Sequence, residues 1–236
     1  MLTGFLRAFR TPDLRRKLLF TIFIIGVFRL GAALPTPGIS ERAVHDCIGI
    51  ANQSGESVYQ LVNLFSGGAL LKLSVFALGI MPYITASIIL QLLAVVIPRL
   101  ETLTKEGQAG QSKITQYTRY LTVGLAILQS TGIVALARSG RLFQGLNCKE
   151  ALIPNPSVFT ITTMVVCMTA GTAVIMWLGE LITDRGVGNG MSLLIFTQVI
   201  AVIPGEMLNI YRTRHAFVFG VVLAVGVAIV AFVVFM

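Results

Sequence analysis

The sequence predicts an all-α polytopic membrane protein of about six transmembrane helices with one re-entrant half-helix. Composition is the first reason. Of 236 residues, 55% are hydrophobic and only 12% charged, about half the charged share of an ordinary soluble domain. Mean hydropathy is +0.84. Patterning is the second reason: the charges cluster, leaving uncharged stretches long enough to cross a hydrocarbon core of about 30 Å. A soluble chain would have to wet that apolar surface. A bilayer does not ask for it, and within a bilayer a helix satisfies its own amides.

Residues 1–17 read as a cytoplasmic amphipathic segment. "MLTGFLRAF" sets Leu2, Phe5, Leu6 and Phe9 on one helical face, as in an interfacial helix. Thr11 and Pro12 then suit an N-cap and the first position of a fresh helix. Span one is Leu18–Leu34, with Arg29 inside it. That charge and the later spans argue against a cleaved signal, so the span is retained. Span two is Leu73–Ile97, span three Tyr120–Ala137, span four Val158–Gly179, span five about Val187–Ile203 and span six Ala216–Met236.

Orientation follows the basic residues. Arg7, Arg10, Arg15, Arg16 and Lys17 precede span one and hold the amino terminus in the cytoplasm. The loop from Pro35 to Tyr59 carries Arg42 against Glu41, Asp46 and Glu56, as an exported loop does. Arg99, Lys105 and Lys113 then mark a cytoplasmic loop, while Arg138, Arg141 and Lys149 run against the trend. The net charge of +8 is accounted for by topology and anionic headgroups rather than by reading nucleic acid. Cys47 and Cys148 fall outside and Cys167 within span four. With no CxxC pairing and two histidines, a metal site is not expected and the cysteines read as free thiols.

"DRGVGNGMS", Asp184–Ser192, has glycine at every second position from Gly186. A phosphate loop would need a preceding strand, but membrane helices flank this stretch. It reads as a cytoplasmic hairpin tip built from Arg185, Gly186, Gly188, Asn189 and Gly190, with Asn189 or Ser192 capping span five.

"QLVNLFSGGALLK", Gln60–Lys72, is apolar but reaches only about 18 Å as a helix. It cannot cross, so it reads as a re-entrant half-helix, tolerated only where protein or a water-filled cavity surrounds it. A helix lying flat at the interface is the plainer alternative. Span two carries Gly79, Pro82, Thr85, Ser87 and Gln91, span three Gln129, Ser130 and Thr131, and span five Gln198. Such residues commonly just bond neighbouring helices; beside a re-entrant segment they point to a hydrated interior. Arg29, the one full charge deep in a span, is a functional candidate.

Five blocks in order along nearly the whole chain carry a family resemblance. "FRLGAALPTPGI", "NLFSGGALLKLSVFALGIMPYITASIILQLL", "KEGQAGQSKITQYTRY", "MWLGELITDRGVGNGMS" and "HAFVFGVVLAVGVAIVAFVVF" resemble landmarks of bacterial SecY, the protein-conducting channels, in their actinobacterial form. The resemblance implies the first half of an inverted-repeat clamshell around an hourglass pore. Residues 18–205 would be the first five-helix half, including a plug within 60–72, and 206–236 an outer loop with the first helix of the second half. The plug would be Leu61, Val62, Asn63, Leu64, Phe65, Ser66, Gly67, Gly68, Ala69 and Leu70. Ile80, Ile84 and Ile195 match the aliphatic pore ring, and Thr85 and Gln129 match the lateral gate. By periodicity alone, those isoleucines would be ordinary helix packing.

The resemblance implies no catalysis and no cofactor. It implies SecE and SecG as subunits, the SecA ATPase and the ribosome at the cytoplasmic face, translocating polypeptides and signal sequences as cargo, and lipid as surroundings. The family has ten spans and this chain stops at Met236, so the expectation is a partial chain, not active alone. The bacterial plasma membrane is the expected location. No Walker motif is present, so a partner must supply energy. A small-solute transporter would show paired intramembrane acids, and an embedded hydrolase a nucleophile with a base in reach; no span carries either.

Overall fold

The computed structural model describes residues 12–44, 46–47, 67–70, 72–140, 152–154, 156–213 and 216–236. Seven helices of eight residues or more organise them: α1 Pro12–Ala33, α2 Met81–Val96, α3 Pro98–Lys105, α4 Gln108–Arg138, α5 Val158–Arg185, α6 Gly190–Thr213 and α7 Ala216–Phe235. The interfacial helix expected over residues 1–9 lies outside the described residues. Pro12 does open α1, where a missing amide proton costs nothing.

By length and composition, α4 and α5 can each cross a membrane, and α2 with α3 passes only as a pair bent by 102°. The bend falls at Ile97, whose extended backbone precedes Pro98. Proline disfavours helical geometry in the residue before it, and the break follows. The apolar parts of α6 and α7, Gly190–Gly205 and Phe219–Phe235, are shorter.

Span two departs most from expectation. Helix was expected from Leu73, but 72–80 are turns and bridge, and helix begins only at Met81. Backbone geometry explains this: Leu73 has φ 48° and Gly79 φ 56°, both left-handed. For Leu73 that conformation costs about 1–2 kcal/mol, so its surroundings must over-determine it. They do so by bonding its neighbours. The Thr36 amide (3.1 Å) and hydroxyl (2.6 Å) both donate to the Leu73 carbonyl. Val75 N–H reaches Leu34 O at 2.9 Å and Ser74 N–H reaches Ala69 O at 3.1 Å.

This non-helical run is the wedge between two cores. Leu73, Ala77 and Leu78 join Ala126 and Val134 of α4, Met164 and Met168 of α5, and the outer-loop residues Ala43, Val44, Leu152 and Ile153. Ala69, Phe76 and Ile80 join Ile24 and Phe28 of α1, Ile175 and Ile182 of α5 and Leu194 of α6. Phe28 and Phe76 stack with centroids 5.9 Å apart.

The α5–α6 corner forms as a hairpin tip. Asn189 Oδ1 accepts from Met191 N–H (3.0 Å) and Ser192 N–H (3.3 Å), so Asn189 rather than Ser192 is the cap. Thr183 Oγ1 accepts from Gly190 N–H at 2.9 Å. Gly190 must be glycine, because a Cβ there would run into the Gly179 carbonyl.

The cysteine expectation is corrected at one position. Cys47 is buried and disulfide-bonded; Cys167 is a free thiol, half-buried in α5, and Cys148 lies outside the described residues. A bonded Cys47 suits the outer side, where oxidising chemistry lets disulfides persist.

One ion pair crosses between spans. Arg119 of α4 donates twice to Glu180 of α5, Nε to Oε1 at 2.8 Å and Nη2 to Oε2 at 2.7 Å. The forked geometry adds direction to a partly exposed pair, for which about 1 kcal/mol is the appropriate scale. In thermal unfolding in detergent, Arg119→Ala and Glu180→Ala should each destabilise. Their combination should fall short of the sum by about 1 kcal/mol, and strict additivity would mean the pair contributes nothing.

Candidate functional site

The most unusual chemistry lies where the non-helical run meets α1, α2 and α6. Ile80, the last residue before α2, is 1% exposed in the inner core. Ile84, one turn later, packs partly buried against that core, and its amide donates to Ile80 O at 3.2 Å. Ile195 differs: it is 37% exposed, while its neighbour Leu194 is fully buried in the core. The structure therefore brings Ile80 and Ile84 together and leaves Ile195 outside their cluster. Among the described residues the three do not close a ring.

Of the plug expectation, Leu61–Ser66 lie outside the described residues. Gly67, Gly68, Ala69 and Leu70 are in turn geometry, as is Lys72, so the half-helix expected there is not formed at its carboxyl end. Gly67 and Gly68 have φ 64° and 85°, which a helix cannot contain. Ala69 is 1% exposed, so this stretch is packed in protein, as non-helical backbone at membrane depth must be.

Arg29 joins this site. Its side chain is exposed, and Nη1 donates to Gly67 O at 3.4 Å, a long contact that ties α1 to the end of the re-entrant stretch. Gln198 of α6 comes to the same place from the other side and is 3% exposed. Gln198 was legible in the sequence only as one polar residue among several.

The polar span residues mostly satisfy themselves. Thr85 Oγ1 donates to Met81 O at 2.9 Å, Thr131 Oγ1 to Ile127 O at 2.7 Å and Ser130 Oγ to Ile127 O at 3.0 Å. A hydroxyl bonded back to its own helix needs no water and lines no pore by necessity. Thr85 and Gln129, matched to the lateral gate, are each partly exposed. The Arg119–Glu180 pair escaped the sequence reading. Its signal was a cation early in one span and an acid late in the next, which antiparallel packing sets level.

The family model for SecY matches residues 74–236. The protein translocase subunit SecY of Streptomyces coelicolor is 59% identical over 239 residues, covering all of this chain and 54% of its own length. That of Mycobacterium tuberculosis is 57% identical, with 53% of its length covered. This chain spans about half the length of the curated relatives it matches. Among solved structures, Sec61 in a canine ribosome-channel complex superposes with TM-score 0.54 at 14% identity, over 83% of this chain and 38% of that one. A structure described as a protein conducting channel gives 0.53 at 15% identity, with the same coverage. These two speak to fold.

Burial separates the three isoleucines in a way stability can read. Ile80→Ala should destabilise by about 2–4 kcal/mol, the usual loss for a buried isoleucine. Ile195→Ala should cost well under half of that. Equal shifts in thermal unfolding in detergent would contradict the placement of Ile195 outside the core.

Proposed function

The chain belongs to the SecY family, and on that premise we propose that it forms part of the central channel of a Sec protein translocase. In this reading the channel passes unfolded secretory polypeptides across the bacterial plasma membrane and releases hydrophobic segments sideways into lipid. The observation that carries the reading is sequence identity of 57–59% along the entire chain to translocase subunits. The buried, non-helical run beside an aliphatic wall supports it physically, since a half-span is tolerated only inside protein or at a cavity.

The mechanism uses few groups and no catalysis. Ile80, Ile84 and Ile195 would supply one side of a constriction, with the remaining side from chain beyond this half. Branched aliphatic side chains close on one another and dewet the gap, which blocks ions at rest. They offer a passing chain no hydrogen bond or charge, so they yield to it without holding it. Residues 61–70 would plug the outer funnel. Thr85 and Gln129 would line the seam through which a signal sequence meets lipid.

The basic residues before α1 and between α2 and α4 would hold the amino terminus and the α5–α6 corner in the cytoplasm. The helix ends agree on relative sidedness: Gly186 of that corner lies against Thr21 near the start of α1, and Gly38 after α1 against Thr160 near the start of α5. SecE and SecG would complete the membrane complex. The SecA ATPase or a translating ribosome would dock on the cytoplasmic face and supply the driving force.

The test places a photo-crosslinker at Ile84, with a control at Leu125, in this chain joined to the second half of the Streptomyces coelicolor relative. A secretory polypeptide is stalled in the membrane. Crosslinking from Ile84 at least several-fold above Leu125 is expected. Equal yields would mean that these isoleucines only pack helices.

A further inference from the structure

Two glycines of the non-helical run are built around one side chain of α6. At Gly67, φ 64°, a Cβ would stand 3.3 Å from both the Gln198 Cα and its carbonyl oxygen, so the turn lies directly on the α6 backbone. At Gly79, φ 56°, a Cβ would stand 2.5 Å from Gln198 Nε2. These residues bracket the stretch that carries Ala69, Phe76 and Ile80 into the inner core. The Gln198 side chain thus fills the space between the two ends of that stretch.

The amide at its tip is the second observation. Gln198 is 3% exposed, and its Nε2 has no hydrogen-bond partner among the described residues. A buried amide donor left unsatisfied works against the packing that holds it. An apolar side chain of similar length would fill the same space without that cost, so packing alone does not call for glutamine. An equilibrium that has to move does.

We propose that Gln198 is the catch of the re-entrant segment, a positioning residue whose side chain seats Gly67 and Gly79 on α6 and whose unpartnered amide keeps the seated state releasable. When the segment leaves, Nε2 gains water or a backbone carbonyl. The catch therefore opposes its own closure by roughly the strength of one buried hydrogen bond, a bias on the order of tenfold in the docked fraction. Its consequence for permeation rests on the channel reading above; the seat itself does not.

The experiment measures maleimide labelling of a cysteine in place of Ala69, which is 1% exposed when the segment is seated. The full 236-residue chain is used in membranes, in a Cys167→Ser background. A parallel reporter at Ser112, exposed at the start of α4, controls for insertion and reagent access. Gly79→Ala should speed labelling at position 69 about tenfold by driving a methyl into the amide. Adding Gln198→Ala should return the rate toward that of Gln198→Ala alone, leaving only the part due to left-handed strain at position 79.

Multiplying effects in the double variant would overturn the proposal, because Gly79 would then be sensitive for reasons unrelated to Gln198. Should Gly79→Ala fail to accumulate in membranes, Gln198→Met and Gln198→Ala decide. The first fills the seat without an unsatisfied donor and should slow labelling on the order of tenfold; the second empties the seat and should speed it. Faster labelling in Gln198→Met, or identical rates in both, would overturn the proposal. None of these rates requires polypeptide transport, so failure here is distinguishable from failure of the Ile84 crosslink.

Discussion

Between Gly67 and Ile80 the described chain is not helical, yet it lies buried among α1, α4, α5 and α6, and its polar backbone has to find partners inside the protein. In hydrocarbon each unpaired amide or carbonyl costs several kcal/mol, more than any single contact nearby returns. The connection after α1 answers this need: Leu34 and Thr36 supply the carbonyl, amide and hydroxyl that bond Val75 and Leu73. Without those bonds the left-handed Leu73 would relax, and the wedge that separates the two cores would lose its shape.

The helices accommodate the wedge by giving up side-chain volume where it touches them. Gly31 of α1 lies against the Phe76 ring, and Gly171 of α5 against the Val75 carbonyl, at separations that no Cβ would allow. Both helices therefore approach closely enough to exclude water from the non-helical backbone. The α5–α6 corner follows the same rule at the other end, where Gly190 meets the Gly179 carbonyl and the cap supplied by Asn189 fixes how α6 starts. The Arg119–Glu180 fork near that end sets α4 against α5.

For a conducting pathway, this division has a consequence. The inner core is dense around Ile80 and looser around Ile84, while Ile195 sits half out of it. A half-channel needs that gradient: its wall must be rigid behind and unpartnered in front. α7 extends the same logic, since its side chains are exposed along its length and it touches the rest chiefly through Tyr211 and Phe219, whose rings meet edge to face at 5.6 Å.

Membrane class, the succession of apolar segments and the hairpin at Gly186–Gly190 were determined by the sequence itself, because they depend on composition and local backbone chemistry. The length argument at Gln60–Lys72 likewise required no fold. Tertiary structure alone decided that span two begins at Met81 rather than Leu73, since an apolar run does not reveal whether its amides bond within a helix or to Thr36 and Leu34. It also decided which polar residues matter. Thr85, Ser130 and Thr131 close on their own helices, while Gln198, no different from them in the sequence, reaches a place where two glycine backbones meet and its amide finds nothing. The pairing of Arg119 with Glu180 and the opposite settings of Ile80 and Ile195 belong to the same class. They arise from which face each helix turns toward its neighbours, and the wedge between the cores sets that.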